Sequence, residues 1–288
     1  MAEKTLNLTV IGDRACSTTR TYLTYLKLAG FRAKRLWLVN FGFENRRRRF
    51  MRRFFGGAVT DLLLGWRYPT TSALTVADER YAGLCLDLQD EAGFVPIDHF
   101  STWSPTEYAD EIERFHASDF SDVALQARMA AARDTAFLYT NGGIVPGPLL
   151  DMPDLRIFHI HPGIVPDLRG SDCFLWSAIV RRKLGVSCFY MSAGIDEGML
   201  LGQCEFELPR LPSLAPFMKP EDEPLAYRAL LFAVDPHLRA SLFVDVLRAH
   251  QECDLRTLPA DTQPKVARPP YLWMHPRLRL QTMRESFL

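Results

Sequence analysis

The chain has no excess of charge of either sign, because 34 Lys and Arg residues balance 34 Asp and Glu residues among its 288. Such a balance argues against a protein that binds nucleic acid through a general basic field. The chain also contains no apolar run near the roughly 20 residues that a bilayer span requires. Its first ten residues contain no long apolar segment typical of a secretory signal. These absences predict a cytoplasmic protein with neither a nucleic-acid nor a membrane partner.

Paired cysteines are also lacking, since the six cysteines are scattered and form no CxxC motif. This spacing is typical of reduced thiols and argues against a disulfide framework or a cysteine zinc site. Cys188 and Cys204 lie in apolar, strand-like segments, and we interpret them as small core residues. Cys173 lies near two histidines, but no base neighbours it in the sequence, which disfavours a nucleophilic role.

Alternating strand and helix patterns predict an α/β fold. Strand patterns over 6–11 and 33–39 flank a helix over 17–28, which predicts parallel strands joined by a crossover helix. The first loop, residues 12–17, lacks GxGxxG, so the sequence gives no support for a dinucleotide site. Further strands are predicted at 83–87, 136–139, 155–160, 185–191 and 199–207, and further helices at 121–133 and 174–184.

The C-terminal part of the chain has a different pattern. Apolar residues recur at helical spacing over 224–250 and are interrupted near Pro236, which predicts two helices. The Pro-rich segment 263–288 is predicted to be an extended tail. We therefore predict a catalytic α/β domain over 1–207 and a helical extension with a tail over 208–288, packing on the core. A homodimer through these helices is a further hypothesis.

Two histidines lie at the end of one predicted strand. His159 and His161 are followed at once by Pro162 and Gly163, which end the strand. Side chains at i and i+2 of a strand share a face, and ligands of open α/β sheets bind at the carboxyl ends of strands. The alternative is a pair of structural histidines that bond backbone carbonyls.

Asp196 lies between glycines in the loop 192–198, one strand–helix–strand unit further on, and is predicted to reach His161. A carboxylate can orient an imidazole for general acid–base catalysis, and His159 can donate to a developing oxyanion. This set suits acyl transfer. Metal binding by His159, His161 and Asp196 is the competing chemistry, because two histidines and one carboxylate form a recognised metal triad.

An arginine run occupies 46–49 and 52–53, interleaved with the apolar residues Phe50, Met51, Phe54 and Phe55. We interpret it as the solvated face of a helix whose other face is buried. A patch that binds a phosphate or a folate-type glutamate tail is the alternative.

Several spaced motifs resemble the formyltransferase family, which includes glycinamide ribonucleotide, methionyl-tRNA and sugar-amine formyltransferases. They are His-Pro-Gly-Ile-Val-Pro-Asp-Leu-Arg-Gly over 161–170, Trp-Ser-Ala-Ile over 176–179, Gly-Val-Ser over 185–187 and Gly-Ile-Asp-Glu-Gly over 194–198. The resemblance covers about residues 136–205. It implies a Rossmann-like fold with a mostly parallel central sheet flanked by helices, and 10-formyltetrahydrofolate as co-substrate.

The same resemblance assigns residues to roles. It implies His161 and Asp196 as catalytic residues, and it implies a folate pocket at Gly143, Ile144 and Val145 and at Ser192, Ala193, Gly194 and Ile195. The family has Asn where this chain has His159. An Asn amide donates without titrating, whereas the charge of a histidine depends on pH.

The sequence therefore predicts N-formyl transfer from 10-formyltetrahydrofolate to an amine or hydroxylamine of a small molecule. A tRNA acceptor is not expected, because the C-terminal nucleic-acid-binding barrel of the methionyl-tRNA members has no clear counterpart here. No metal is expected. The alternatives are a hydrolase, in which water replaces the amine, and a non-catalytic folate-binding protein.

Overall fold

The computed structural model describes residues 3–12, 16–41, 79–99, 101–140 and 145–288. The arginine run over 46–53, Gly143 and Ile144 lie outside these residues. One seven-stranded sheet runs through the described chain in the order β3-β2-β1-β4-β5-β6-β7. Its strands are β1 (Lys4–Gly12), β2 (Phe31–Phe41), β3 (Ala109–Ala117), β4 (Ala136–Tyr139), β5 (Ile157–His161), β6 (Leu184–Tyr190) and β7 (Leu200–Phe206).

The first five strands in this order are parallel to their neighbours, and β6 and β7 then add an antiparallel edge. The helices are α1 (Ser17–Leu28), α2 (Glu79–Glu91), α3 (Val123–Ala131), α4 (Gly147–Leu150), α5 (Cys173–Arg181), α6 (Glu223–Ala233), α7 (Asp235–Ala249) and α8 (Pro276–Phe287). The predicted mostly parallel, Rossmann-like α/β fold is confirmed.

Two apolar clusters lie on opposite faces of the sheet. Alternate strand residues such as Leu8 and Val10 belong to one cluster, beneath α1, α2 and α5 to α8, while Ile11 belongs to the other, beneath α3 and α4. This alternation follows from the two-residue period of a strand. A parallel sheet covered on both faces explains why β4 is continuously apolar and why the second half of β1 is buried throughout.

The C-terminal helices complete the first of these clusters. Phe243 of α7 and Phe287 of α8 are fully buried and belong to the same cluster as the strand residues. The α7 helix packs against α1, β5, β6 and β7. The two helices predicted on either side of the break near Pro236 are confirmed as α6 and α7. A domain boundary at residue 207 stays a prediction.

Three local predictions were wrong or incomplete. The predicted strand at 83–87 lies inside α2, whose buried residues recur at helical spacing as Tyr81, Leu84, Cys85 and Leu88. Strand β3 was missed because it is a largely polar edge strand whose backbone bonds come from β2. The tail is extended only as far as His275, where α8 begins with Pro276 at its first turn.

Within the described ranges, no helix combines the length and the apolar character that crossing a membrane would require.

One buried histidine links the packing of the C-terminal helices to pH. His237 of α7 stacks on Phe94 at a ring separation of 4.8 Å, and its Nδ1 lies 3.1 Å from the Tyr25 hydroxyl. Burial lowers the pKa of His237 from 6.5 to about 3. The unfolded chain therefore binds the extra proton, so this contribution to stability is present above pH 6.5 and is lost as the pH falls.

We expect His237→Phe to reduce the acid sensitivity of the fold. Between pH 7 and pH 5, the variant should lose about 2 kcal/mol less unfolding free energy than the wild type. Urea denaturation at several pH values measures this difference, and the comparison at pH 8 isolates the effect on packing alone. A difference between the two proteins that stays constant with pH would contradict the argument.

Candidate functional site

The two histidines lie at the carboxyl end of β5. Ile157, His159 and His161 share one face of the strand, while Phe158 and Ile160 belong to the core on the other face. The two imidazole rings are 6.0 Å apart, and the Phe189 ring of β6 lies beside both. The spacing predicted this shared face, and the neighbouring antiparallel strand supplies the apolar wall.

The two rings differ in exposure. The side chain of His161 is 3% exposed, whereas that of His159 is 22% exposed. His159 is therefore the imidazole that a bound molecule can approach directly.

The hydrogen bonds of His161 define its tautomer. Its Nε2 lies 2.9 Å from the carbonyl oxygen of Leu168. A carbonyl oxygen only accepts, so Nε2 carries the hydrogen. The other nitrogen, Nδ1, faces Asp196 Oδ2 at 3.4 Å. The protein thus binds Nε2 of His161 through a hydrogen bond, while Nδ1 faces the carboxylate.

The Asp196 carboxylate bridges the two rings. Its Oδ2 accepts a 2.8 Å hydrogen bond from the Gly170 backbone N–H, and its Oδ1 lies 3.7 Å from His159 Nε2. Asp196 has a φ of 54°, a left-handed conformation that Asp tolerates better than most residues. The predicted approach of Asp196 to His161 is confirmed.

Burial keeps both imidazoles neutral near neutral pH. It lowers the pKa of His159 and of His161, and this effect outweighs the opposing attraction of Asp196. The sequence predicted that the charge of His159 depends on pH. Because its pKa is lowered, this charge develops only in the acid range.

A buried ion pair lies behind the histidine strand. On α7, Asp235 Oδ2 and Arg239 Nη2 are 2.6 Å apart, and Arg239 Nη1 lies 3.5 Å from the carbonyl oxygen of Ile160. The charge of Arg239 lowers the pKa of His161, and that of Asp235 raises it. Sequence analysis missed this pair. The available signal was a carboxylate four residues before an arginine within a predicted apolar helix.

The extended tail closes over the loop that follows the histidines. We call residues 268–274 the tail strap. The Tyr271 N–H donates to the Arg169 carbonyl at 2.6 Å, and the Tyr271 carbonyl accepts from the Ser171 N–H at 2.9 Å. Arg169 also forms an ion pair with Glu197 and donates to the Arg268 carbonyl.

The Asp172 side chain also contacts the tail strap. Asp172 occupies the N-cap position of α5, but its side chain forms no capping hydrogen bond. Its carboxylate instead accepts from the Tyr227 hydroxyl of α6 and, at 2.7 Å, from the Met274 N–H of the tail strap. The side chain therefore connects the tail to α6 and does not satisfy the helix end.

The remaining predicted site residues lie in different surroundings. Val145 is buried in the apolar cluster with Leu149 and Ile157, so its side chain belongs to the core. The turn over 192–195 is largely exposed, with Ile195 at 59%, and leads directly into Asp196. Cys173 is buried, which raises the pKa of its thiol and argues against a nucleophile.

No family model matches the chain. The methionyl-tRNA formyltransferase of Syntrophus aciditrophicus (strain SB) is 36% identical over 69 residues, which cover 24% of this chain and 22% of the relative. Further methionyl-tRNA formyltransferases match at 30–32% identity over 68–94 residues. The chain thus spans only about a quarter of the length of the curated relatives it matches.

Solved structures of similar shape have low identities. Glycinamide ribonucleotide transformylase 1 from Symbiobacterium toebii is 14% identical, with 91% of this chain and 95% of that one covered and a TM-score of 0.44. The formyltransferase PseJ from Anoxybacillus kamchatkensis, solved with a sugar nucleotide and tetrahydrofolate, is 19% identical, with 54% and 72% covered and a TM-score of 0.34. The order of the seven strands by itself defines the fold.

Gly170 should be essential to this arrangement. It has a φ of 104°, and a Cβ placed there would lie 2.8 Å from the Tyr271 backbone nitrogen and closer still to its oxygen. We expect Gly170→Ala to lower the unfolding free energy by about 1–3 kcal/mol. Denaturation in urea measures the change.

Gly83→Ala is the matched control, because Gly83 lies inside α2 and an added methyl group there would meet nothing within 4 Å. This substitution should stabilise the protein by about 0.5–1 kcal/mol. Equal effects of the two substitutions would show that the tail strap does not constrain Gly170.

Proposed function

Since the chain is related in sequence to the formyltransferases, we propose that it is a folate-dependent N-formyltransferase that acts on an amine or hydroxylamine of a small molecule. One observation carries the proposal: the Asp196 carboxylate lies 3.4 Å from His161 and 3.7 Å from His159, within the motifs that resemble that family. The relatives support the reaction class.

His159 is proposed to stabilise negative charge on the carbonyl oxygen during transfer. It is the more exposed of the two rings, and its imidazole is neutral near neutral pH, so it donates one N–H without carrying a charge. A fixed donor at a developing oxyanion is among the largest contributions to acyl-transfer catalysis.

His161 and Asp196 are proposed to act as one acid–base unit. The Nε2 of His161 is committed to Leu168, so Nδ1 is the nitrogen that exchanges a proton, on the side of the ring facing Asp196. The pair would accept the proton of the attacking amine and return one to the departing nitrogen. Asp196 is held in place for this by the Gly170 N–H.

10-Formyltetrahydrofolate would supply the formyl group. The residues present fit such a co-substrate, because the largely exposed turn 192–195 leads directly into Asp196 and has backbone groups of the kind that bond a heterocycle edge. Gly143 and Ile144 belong to the same proposed pocket from outside the described residues. Val145 would contribute its backbone alone, since its side chain is in the core.

The acceptor is proposed to be a small molecule, and the protein is proposed to work in the cytoplasm. The formal net charge of +0 gives no electrostatic support for a tRNA acceptor. A homodimer through the C-terminal helices belongs to the same proposal.

The reaction is tested by incubating the protein with 10-formyltetrahydrofolate and a panel of amino sugars, amino acids and hydroxylamines. Mass spectrometry detects a formylated acceptor. Release of formate without an acceptor would instead identify a hydrolase, and folate binding without turnover a binding protein. Either of these results would overturn the transferase proposal.

Asp196→Asn isolates the acid–base unit. The amide oxygen of the new Asn can still accept a hydrogen bond from the Gly170 N–H, so the turn is retained. The negative charge beside His161 is removed. We expect kcat/KM for formyl transfer to fall about 10²- to 10⁴-fold. The unfolding temperature should change little. A loss of less than about tenfold would show that the pair does not transfer the proton.

His159 is tested with two substitutions of different hydrogen-bonding capacity. His159→Asn retains an N–H donor and should lose less than about tenfold in kcat, whereas His159→Leu has no donor and should lose about 10²- to 10³-fold. Steady-state kinetics on both variants measure the contrast. Similar losses in the two variants would argue against an oxyanion role.

A further inference from the structure

Three potential ligand atoms converge at the end of β5. One ring nitrogen of His159, one of His161 and one carboxylate oxygen of Asp196 all lie within 4.8 Å of one another. They come from two separate segments, the strand β5 and the turn that precedes β7. The remaining question is what occupies the space between them.

The hydrogen bonds leave two acceptors facing each other. Because Nε2 of a neutral His161 donates to the Leu168 carbonyl, its Nδ1 presents a lone pair to Asp196 Oδ2 at 3.4 Å. That oxygen already accepts from the Gly170 N–H. A lone pair and a carboxylate repel each other unless a proton or a metal cation lies between them, so the arrangement is suited to either of these positively charged ligands.

The spacing suits a metal ion as that cation. Zinc binds histidine nitrogen and carboxylate oxygen at about 2.0–2.2 Å, so ligand atoms around a tetrahedral ion lie about 3.3–3.5 Å apart. His161 Nδ1 lies 3.4 Å from Asp196 Oδ2, and His159 Nε2 lies 3.7 Å from Asp196 Oδ1. The three ligand atoms lie within 4.8 Å of one another, so a bound ion would draw them together by up to about 1 Å.

The surroundings of His161 have the form of a second coordination shell. A histidine that binds a metal commonly donates its other ring N–H to a carbonyl or carboxylate, which orients the ring. The Leu168 carbonyl serves this purpose for His161. The Gly170 N–H orients Asp196 by donating a hydrogen bond to one carboxylate oxygen. Both partners lie in the loop between β5 and α5.

We infer that His159, His161 and Asp196 bind a divalent transition-metal ion of the zinc type, with a further coordination position open on the exposed side of His159. Two imidazoles and one carboxylate favour such ions over Mg²⁺ and Ca²⁺, which prefer all-oxygen sites. Three protein ligands leave room for water or a substrate atom.

This inference goes beyond formyl transfer and does not depend on it. A metal ion and a proton compete for the same lone pair on Nδ1 of His161. A loaded site would therefore exclude the acid–base step, and this one consequence rests on the proposed function. Metal binding is measured without any substrate, so a failure of either proposal can be recognised separately.

The test is a titration of the metal-free, full-length protein with Co²⁺, followed by competition with Zn²⁺. We expect saturable binding of one ion per chain, with visible absorption bands of a four-coordinate nitrogen–oxygen site. His159→Asn and Asp196→Asn, which each remove a ligand, should weaken binding about 100-fold or more. His250→Asn is the matched control, because His250 lies at the distant end of α7 and bonds the Val246 carbonyl.

Circular dichroism establishes that each variant is folded. As a second readout, Zn²⁺ should raise the unfolding temperature of the wild-type protein and have a much smaller effect on Asp196→Asn. Absence of saturable binding below millimolar metal would overturn the inference. Equal affinity in His159→Asn, or loss of binding in His250→Asn alone, would overturn it as well.

Discussion

The arrangement of the site depends on the position of one carboxylate. Asp196 receives the Gly170 N–H on one oxygen and lies between two imidazoles, so it connects the turn before β7 to β5 and to the loop that follows it. That loop is held in turn by the tail strap through Tyr271. A negative charge in partly buried surroundings is stable only where such partners compensate it. Displacement of any partner would therefore disturb the others.

Burial and charge give the two histidines different capacities. Both rings are neutral near neutral pH because they are desolvated, and the ion pair of Asp235 with Arg239 lies behind them with opposing effects on the pKa of His161. His161 is enclosed and has its Nε2 bound to Leu168, whereas His159 is partly exposed. Under the two proposals, the same cluster holds either a proton for acyl transfer or a metal ion. The two would compete for Nδ1 of His161.

Much of the fold could be predicted because strands and helices have different periods. The strands β1, β2 and β4 to β7 have apolar patterns of their own, and so do α1, α3 and α5 to α7. Strand β3 has little apolar pattern. Its position depends on pairing with β2, which lies far from it in the sequence. The run 83–87 is a short apolar stretch that fits a strand or a helix, and only packing against the first apolar cluster decided for a helix.

The sequence by itself determined that His159 and His161 share a face, because side chains at i and i+2 of one strand point to the same side. It also determined that Asp196 belongs to a turn between glycines. Only the tertiary structure decided that Leu168 fixes the tautomer of His161, that Asp172 bonds the tail and α6, and that Asp235 and Arg239 lie behind β5. These contacts join residues distant in the chain, and local periodicity carries no information about which distant groups will meet.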